Sequence, residues 1–114
     1  LCSAACAERG RKNKFTGNTT IAVVFTNAKF DKTRLCKIAG MAHDGYARSI
    51  RPVHTTADGD SIYAVSVRDA EGKKVSADQD LVGTLAAEVM SEAITAAVKS
   101  ARSAYGLPAW EDIS

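Results

Sequence analysis

The sequence predicts an α/β fold in which a small parallel or mixed sheet is covered by helices, and three observations carry that expectation. Short β-branched runs alternate with longer runs whose apolar residues recur at helical spacing, in the order strand, helix, strand, helix. The first strand run, Ile21 to Thr26 (IAVVFT), keeps polar residues at its edges, which is the pattern of a strand buried on both faces. The helical run between the two strands supplies the crossover that parallel neighbours require.

The elements follow in order. After IAVVFT, Asp31 is a natural N-cap, and Leu35, Ile38, Ala39, Ala42, Tyr46 and Ile50 recur at three- and four-residue steps as one apolar stripe. Pro52 stops that helix because it lacks an amide proton and clashes with the preceding turn. The polar stretch HTTADGD leads into a second strand, Ser61 to Val67, with Ile62, Ala64 and Ser66 opposite Tyr63, Val65 and Val67. RDAEGKK reads as a turn. A second helix is expected to begin near Ala77 or Asp78 and to run through Leu81, Val82, Leu85, Ala86, Val89, Met90, Ala93, Ile94, Ala97 and Val98 to about Tyr105. Gly106 and Pro108 then close it. Its broad, alanine-rich apolar face suits close packing against a sheet or a second subunit. Two strands do not make an independently stable sheet, so further strands are expected from elsewhere, most simply from a segment preceding Leu1. The opening at Leu1 rather than methionine fits a piece of a longer precursor.

The 114 residues amount to about one domain, and 46% hydrophobic with 25% charged residues is the composition of an ordinary globular protein. The 15 basic and 13 acidic residues are interspersed and leave a net charge of +2, which gives little electrostatic reason to expect nucleic acid or an anionic membrane as partner. The basic stretch ERGRKNK reads as a solvated connector rather than a binding arm. Cys2, Cys6 and Cys36 are odd in number and fit neither a disulfide framework nor a zinc site, so they read as reduced packing residues of a cytoplasmic protein. LCSAACA is too short for a signal-peptide core, and no segment is expected to reach the about 20 apolar residues of a membrane helix.

Two polar clusters bear on chemistry. Gly17-Asn18-Thr19-Thr20 stands against the first strand, where Gly and Asn make a turn and Thr starts a strand in most proteins. A threonine there has a second use. A hydroxyl is a weak nucleophile until it is given a base, and a threonine that becomes the first residue of a chain carries its own, an α-amine with a pKa of about 7.7 to 8.0. The same hydroxyl can release that terminus by attacking the Asn18 carbonyl in an N-to-O acyl shift, with Gly17 easing the strained backbone. Asp58-Gly59-Asp60 is in most settings an Asx-type turn. Alternatively it is a carboxylate pair that the turn at Gly59 aims at one point, where mutual repulsion raises one of the two pKa values. His43 and His54 with Asp58 and Asp60 are residue types that bind metals, but nothing in the sequence fixes the four at ligand distance. Trp110 reads as a packed C-terminal anchor.

Taken together, GNTTIAVVFTNAKFDK, MAHDGYARSIRPVHT and the DGD turn before SIYAV, with the tail SAYGLPAWEDI, closely resemble the self-processing L-aminopeptidase/D-esterase (DmpA-like) family. That family includes β-peptidyl aminopeptidases and endo-type nylon-oligomer (6-aminohexanoate-oligomer) hydrolases. The resemblance runs from about Gly17 to the C-terminus and matches the C-terminal, β-subunit part of the family. It implies that residues 1–18 end an α part and form a cleavage linker, and that residues 19–114 belong to the β-subunit part of one domain. It implies a four-layer αββα sandwich of the N-terminal nucleophile hydrolase-like type, about half of it supplied by this chain. The resemblance places the cut between Asn18 and Thr19, makes Thr19 the nucleophile and has Asp58 and Asp60 assist it as in the nylon-hydrolase branch. Arg51 and His54 flank the turn as scaffolding, and the family's oxyanion-hole and substrate-pocket groups lie in the α part. The implied partners are the upstream α segment, a peptide or oligoamide substrate and further copies, with a tetramer of αβ units suggested; no cofactor or metal is implied. Acyl transfer of the ornithine acetyltransferase type, and a non-cleaving, non-catalytic relative, stand as alternatives.

Overall fold

The structure, a computed structural model, describes residues 18–113. Cys2, Cys6, the basic connector and Gly17 lie outside the described residues. Five elements follow one another: β1 (Ile21–Thr26), α1 (Lys32–Ser49), β2 (Ser61–Ser66), α2 (Gln79–Ser100) and a single turn, α3 (Trp110–Ile113). β1 and β2 pair in parallel, from Ile21 opposite Ser61 to Thr26 opposite Ser66, with α1 as the crossover.

Both long helices start where capping chemistry puts them. The Asp31 carboxylate accepts the Arg34 amide at 2.9 Å and the Asp78 carboxylate accepts that of Leu81 at 3.0 Å, each satisfying a donor that the first helical turn leaves free. α1 ends at Ser49, and the extended Ile50 returns its amide to the Tyr46 carbonyl. α2 ends at Ser100 rather than near Tyr105. Past Ile94 it has little left to pack on, and Ala104 and Leu107 exchange amide and carbonyl bonds across a tight turn centred on Tyr105 and Gly106. Trp110 is still 45% exposed, so it anchors the tail only loosely, with the Lys99 ammonium 6.0 Å from its ring centre.

The core lies between α1, α2 and one face of the sheet. Ile38, Ala42 and Tyr46 of α1 are fully buried against Ala86 and Met90 of α2, and Ala22, Val24, Ile62 and Ala64 pack on them from the strands. The helices approach so closely that a side chain at Gly45 would collide with the Ala87 carbonyl oxygen and, at 2.7 Å, with Met90 Cβ. The alanine-rich face of α2 therefore serves mainly the helix partner. Leu81, Leu85 and Val89 remain exposed, and Leu85 and Val89 line, with β1, an open cavity of about 410 Å³.

Three expectations need correction. β1 is not covered on both faces: Ala22 and Val24 point inward, but Ile21 and Phe25 are 67% and 70% exposed, because no layer among the described residues faces them. Cys36 is exposed on α1 and does not serve as packing. α2 is long and apolar enough, by length and composition, to cross a membrane, which the sequence reading did not anticipate; here it is a packing helix of the α1–α2 pair.

Candidate active site

The site forms at the leading ends of the two strands, where the parallel ladder runs past β1 into the residues before it. The Ser61 amide donates to the Thr20 carbonyl at 2.9 Å, and one step further out the Gly59 amide donates to the Asn18 carbonyl at 2.8 Å. Asn18 and Thr19 are thus held in line with β1 and both are exposed. Where the next rung would return the Thr20 amide to a backbone carbonyl, the Asp60 carboxylate takes it instead, at 2.8 Å to Oδ1.

The turn from Thr55 to Asp60 brings its glycine onto Thr19. A Cβ on Gly59 would lie 2.9 Å from Thr19 Oγ1 and 3.7 Å from its Cγ2, so any larger residue there would push the hydroxyl from its present seat. The flanking aspartates are therefore close to Thr19 but face other donors. Asp60 Oδ2 accepts the His54 amide at 2.6 Å, so this carboxylate ties the backbone after Thr19 to the backbone after Val53. Asp58 Oδ2 accepts the Thr55 hydroxyl at 2.6 Å and the Thr55 amide at 3.0 Å, closing the turn on itself. The pair is not aimed at one point. Nor does repulsion raise Asp58: the Thr55 hydroxyl, then the Thr55 amide, hold its carboxyl below the usual range despite a small opposing effect of burial.

Behind the site stands Tyr46, whose place on the apolar stripe of α1 marks it only as a core residue. The fully buried Tyr46 hydroxyl reaches the carbonyls of both Thr20, at 3.2 Å, and Ser61, at 3.0 Å, so one side chain of α1 pins the starts of both strands. Burial, and then the negative charge of Asp60, push this phenol up. A tyrosine on a buried stripe needs a partner for its hydroxyl, and that was the available signal. His43 lies edge-on to Tyr46, with centres 5.1 Å apart, and stacks on His54 at 4.1 Å. Burial and the neighbouring imidazole hold His43 below its ordinary value, and its Nδ1 is buried with no hydrogen-bond partner among the described residues. His54 takes a left-handed backbone (φ 55°) to present its amide to Asp60. The structure brings His43 and His54 together as a stacked pair; among the described residues no group of three or more His, Cys, Asp or Glu is arranged to hold a metal. Arg51 is exposed beside the turn.

An exposed threonine hydroxyl, at the bond that precedes a strand and against an acidic glycine turn, is an arrangement suited to nucleophilic amide chemistry. Comparison with known proteins gives the class. Residues 3–109 match peptidase family S58, and the chain belongs to that family, the DmpA family indicated by its motifs. It is 35% identical over 106 residues to a protein of Mycobacterium tuberculosis named as an uncharacterised aminopeptidase, covering 84% of this chain and 31% of that protein. It is 32% identical over 91 residues to the 6-aminohexanoate-oligomer endohydrolases of Kocuria sp. (strain KY2) and Paenarthrobacter ureafaciens, covering 73% of this chain and 26% of each of theirs. The chain thus spans less than a third of the length of these relatives. No solved structure matches it.

Proposed function

We propose that these residues belong to a self-processing amide hydrolase in which the bond between Asn18 and Thr19 is cut and Thr19 becomes an N-terminal nucleophile. The observation that carries this reading is the seat of Thr19: the exposed residue's hydroxyl rests against Gly59 of the Asp58-Gly59-Asp60 turn, at the head of the sheet. Membership of a peptidase family, and relatives named for aminopeptidase and oligomer hydrolase activity, support peptide or other linear amide bonds as substrates.

In the uncut chain Thr19 Oγ attacks the Asn18 carbonyl carbon, the C–N bond breaks as the nitrogen takes up a proton, and the resulting ester is hydrolysed. The freed α-amine is then the base that draws the proton from Oγ when a substrate carbonyl arrives, and water releases the acyl group. Asp60, with both oxygens committed to backbone amides, acts as a positioning residue that fixes Thr20 and hence Thr19. Asp58 has both bonds on Oδ2, which leaves Oδ1 for the electrostatic support of a hydroxyl or ammonium group nearby. The upstream α segment supplies the strands and helices that complete a four-layer sandwich, and αβ units assemble into a tetramer.

Intact-mass measurement of the freshly purified full-length protein tests this reading. A break between Asn18 and Thr19, absent in Thr19→Ala, is the expected result; cut chains with normal turnover in that variant would refute it. The non-cleaving alternative draws on one observation, that neither aspartate carboxylate bonds to the Thr19 hydroxyl. It predicts a whole chain in the wild type under the same measurement.

A further inference from the structure

We propose that the backbone amide of Gly59 is the oxyanion donor for self-cleavage: it holds the Asn18 carbonyl oxygen in the uncut chain and stabilises the negative charge that forms there when Thr19 attacks. The inference rests on the self-cleavage reading and adds to it the group that activates the bond being cut.

Both reacting groups meet residue 59. The Gly59 N–H donates to the oxygen of the Asn18 carbonyl at 2.8 Å, so the amide already faces the atom on which the negative charge develops. The hydroxyl that attacks that carbonyl's carbon lies against residue 59, 2.9 Å from where its Cβ would be. A carbonyl already hydrogen-bonded is polarised before attack, and the bond strengthens as the oxygen becomes anionic. The donor needs no reorganisation, because neighbouring contacts fix its turn from several sides. Asp58 accepts the Thr55 amide and hydroxyl, the Asp58 amide donates to the Thr55 carbonyl at 3.1 Å, and Asp60 grips both Thr20 and His54. In the step itself the Oγ–C bond forms and the carbonyl electron pair moves onto the oxygen facing Gly59. When the tetrahedral centre collapses the C–N bond breaks, and the proton lost by Oγ ends on the Thr19 nitrogen, leaving an ester and a free amine. Water then cleaves the ester to the Asn18 carboxylate and the Thr19 hydroxyl.

The competing explanation is that this bond is only the outermost rung of the ladder. The opposite end of the sheet offers a matched control, since the Val67 amide donates to the Thr26 carbonyl at the same 2.8 Å and touches no reacting atom. The full-length protein is assembled by ligation with one amide replaced by an ester, at residue 59 or at residue 67, which removes a single N–H and leaves the side chains intact. After refolding, cleavage at Asn18–Thr19 is followed by intact mass beside the wild type. The Gly59 ester is expected to cleave roughly 10² to 10³-fold more slowly, the usual loss for one oxyanion donor. The Val67 ester is expected to stay within about threefold of wild type, since it loses one ordinary backbone bond. Esters that behave alike, whether slowed, unslowed or unfolded, overturn the assignment, and so does a Gly59 ester that fails to fold while the Val67 ester folds. A wild-type chain that stays whole refutes the self-cleavage reading itself, and the inference falls with it.

Discussion

The two ends of the two-stranded sheet are built differently. At the trailing end the chain pairs onward through its backbone: Ala28 bridges Val75, the Lys29 amide donates to the Val75 carbonyl at 2.8 Å and the Val75 amide to the Asn27 carbonyl at 2.9 Å, while the Ser66 hydroxyl donates to the Ala28 carbonyl. At the leading end side chains join the backbone rungs from Ser61 to Thr20 and from Gly59 to Asn18, with Asp60 taking the Thr20 amide and Tyr46 reaching two carbonyls. Open α/β sheets usually hold their ligands beyond the carboxyl ends of the strands. Here the polar machinery gathers at the amino ends, which is where a nucleophile must lie if it is to become the first residue of the chain that forms β1. Under the proposed self-cleavage, the difference teaches that the covalent fate of Thr19, rather than sheet topology, selects the functional end.

Variants at the two ends should separate accordingly. Thr19→Ala is expected to leave the full-length protein whole and to lower amide turnover by at least about 10⁴-fold, whereas Ser66→Ala at the other end should cost only about 0.5 to 1.5 kcal/mol of stability and leave cleavage intact. Intact mass, an amide-hydrolysis assay and urea unfolding read these together, and a Ser66 variant that blocks cleavage would break the contrast. Asp60→Ala removes the acceptor for two backbone amides next to the bond being cut, and a misplaced Thr19 should slow processing by roughly 10²-fold. Asp58→Ala is expected to slow processing and turnover as well, and unchanged kinetics in both would take the aspartates out of the mechanism.

Tyr46→Phe leaves two strand-start carbonyls without their hydroxyl donor and should cost about 1 to 3 kcal/mol in urea unfolding. Ile38→Val, in the same core but away from the site, should cost about 0.5 to 1.5 kcal/mol. Cleavage is expected to slow in the tyrosine variant and not in the isoleucine one; equal rates would reduce Tyr46 to packing. The smallest effect concerns pH. Burial, and then His54, hold His43 below its ordinary value against the opposing charges of Asp60 and Asp44, so the folded protein binds fewer protons than the unfolded one as pH drops through the ordinary imidazole range of about 6.5. Its contribution to stability is complete above that range and is lost as pH falls from there toward the lower folded-state value. Thermal unfolding between pH 8 and pH 5 should show that decline, and His43→Phe should flatten it.

Much of the fold was legible because local chemistry fixes it. β1 has the bounds its β-branched run indicates, Asp31 and Asp78 cap their helices, and the stripe of Ile38, Ala42 and Tyr46 is the buried face of α1. What misled was completeness of burial: Ile21 and Phe25 carry the composition of a doubly covered strand, and composition does not say which chain segment does the covering. The candidate site was legible as a set of residues and less so as a geometry. Thr19, Asp58 and Asp60 are neighbours in the structure, but the direction of each carboxylate depends on which amides the turn happens to present. Sequence could not assign Asp58 to Thr55 or Asp60 to His54. Gly59 was noticed as a turn former, and its second property, absence of bulk against a hydroxyl, appears only once the strands are paired.

The uncovered side of the sheet has a consequence for the order of events. Ile21, Phe25 and Tyr63, at 67%, 70% and 62% exposure, together with the open edges of both strands, would make this segment prone to self-association if it were released alone. A scission that depends on a folded turn reaching across to Asn18 can happen only after the sheet has assembled. On the proposed reading the break comes late, and the sticky half never has to exist as a free polypeptide.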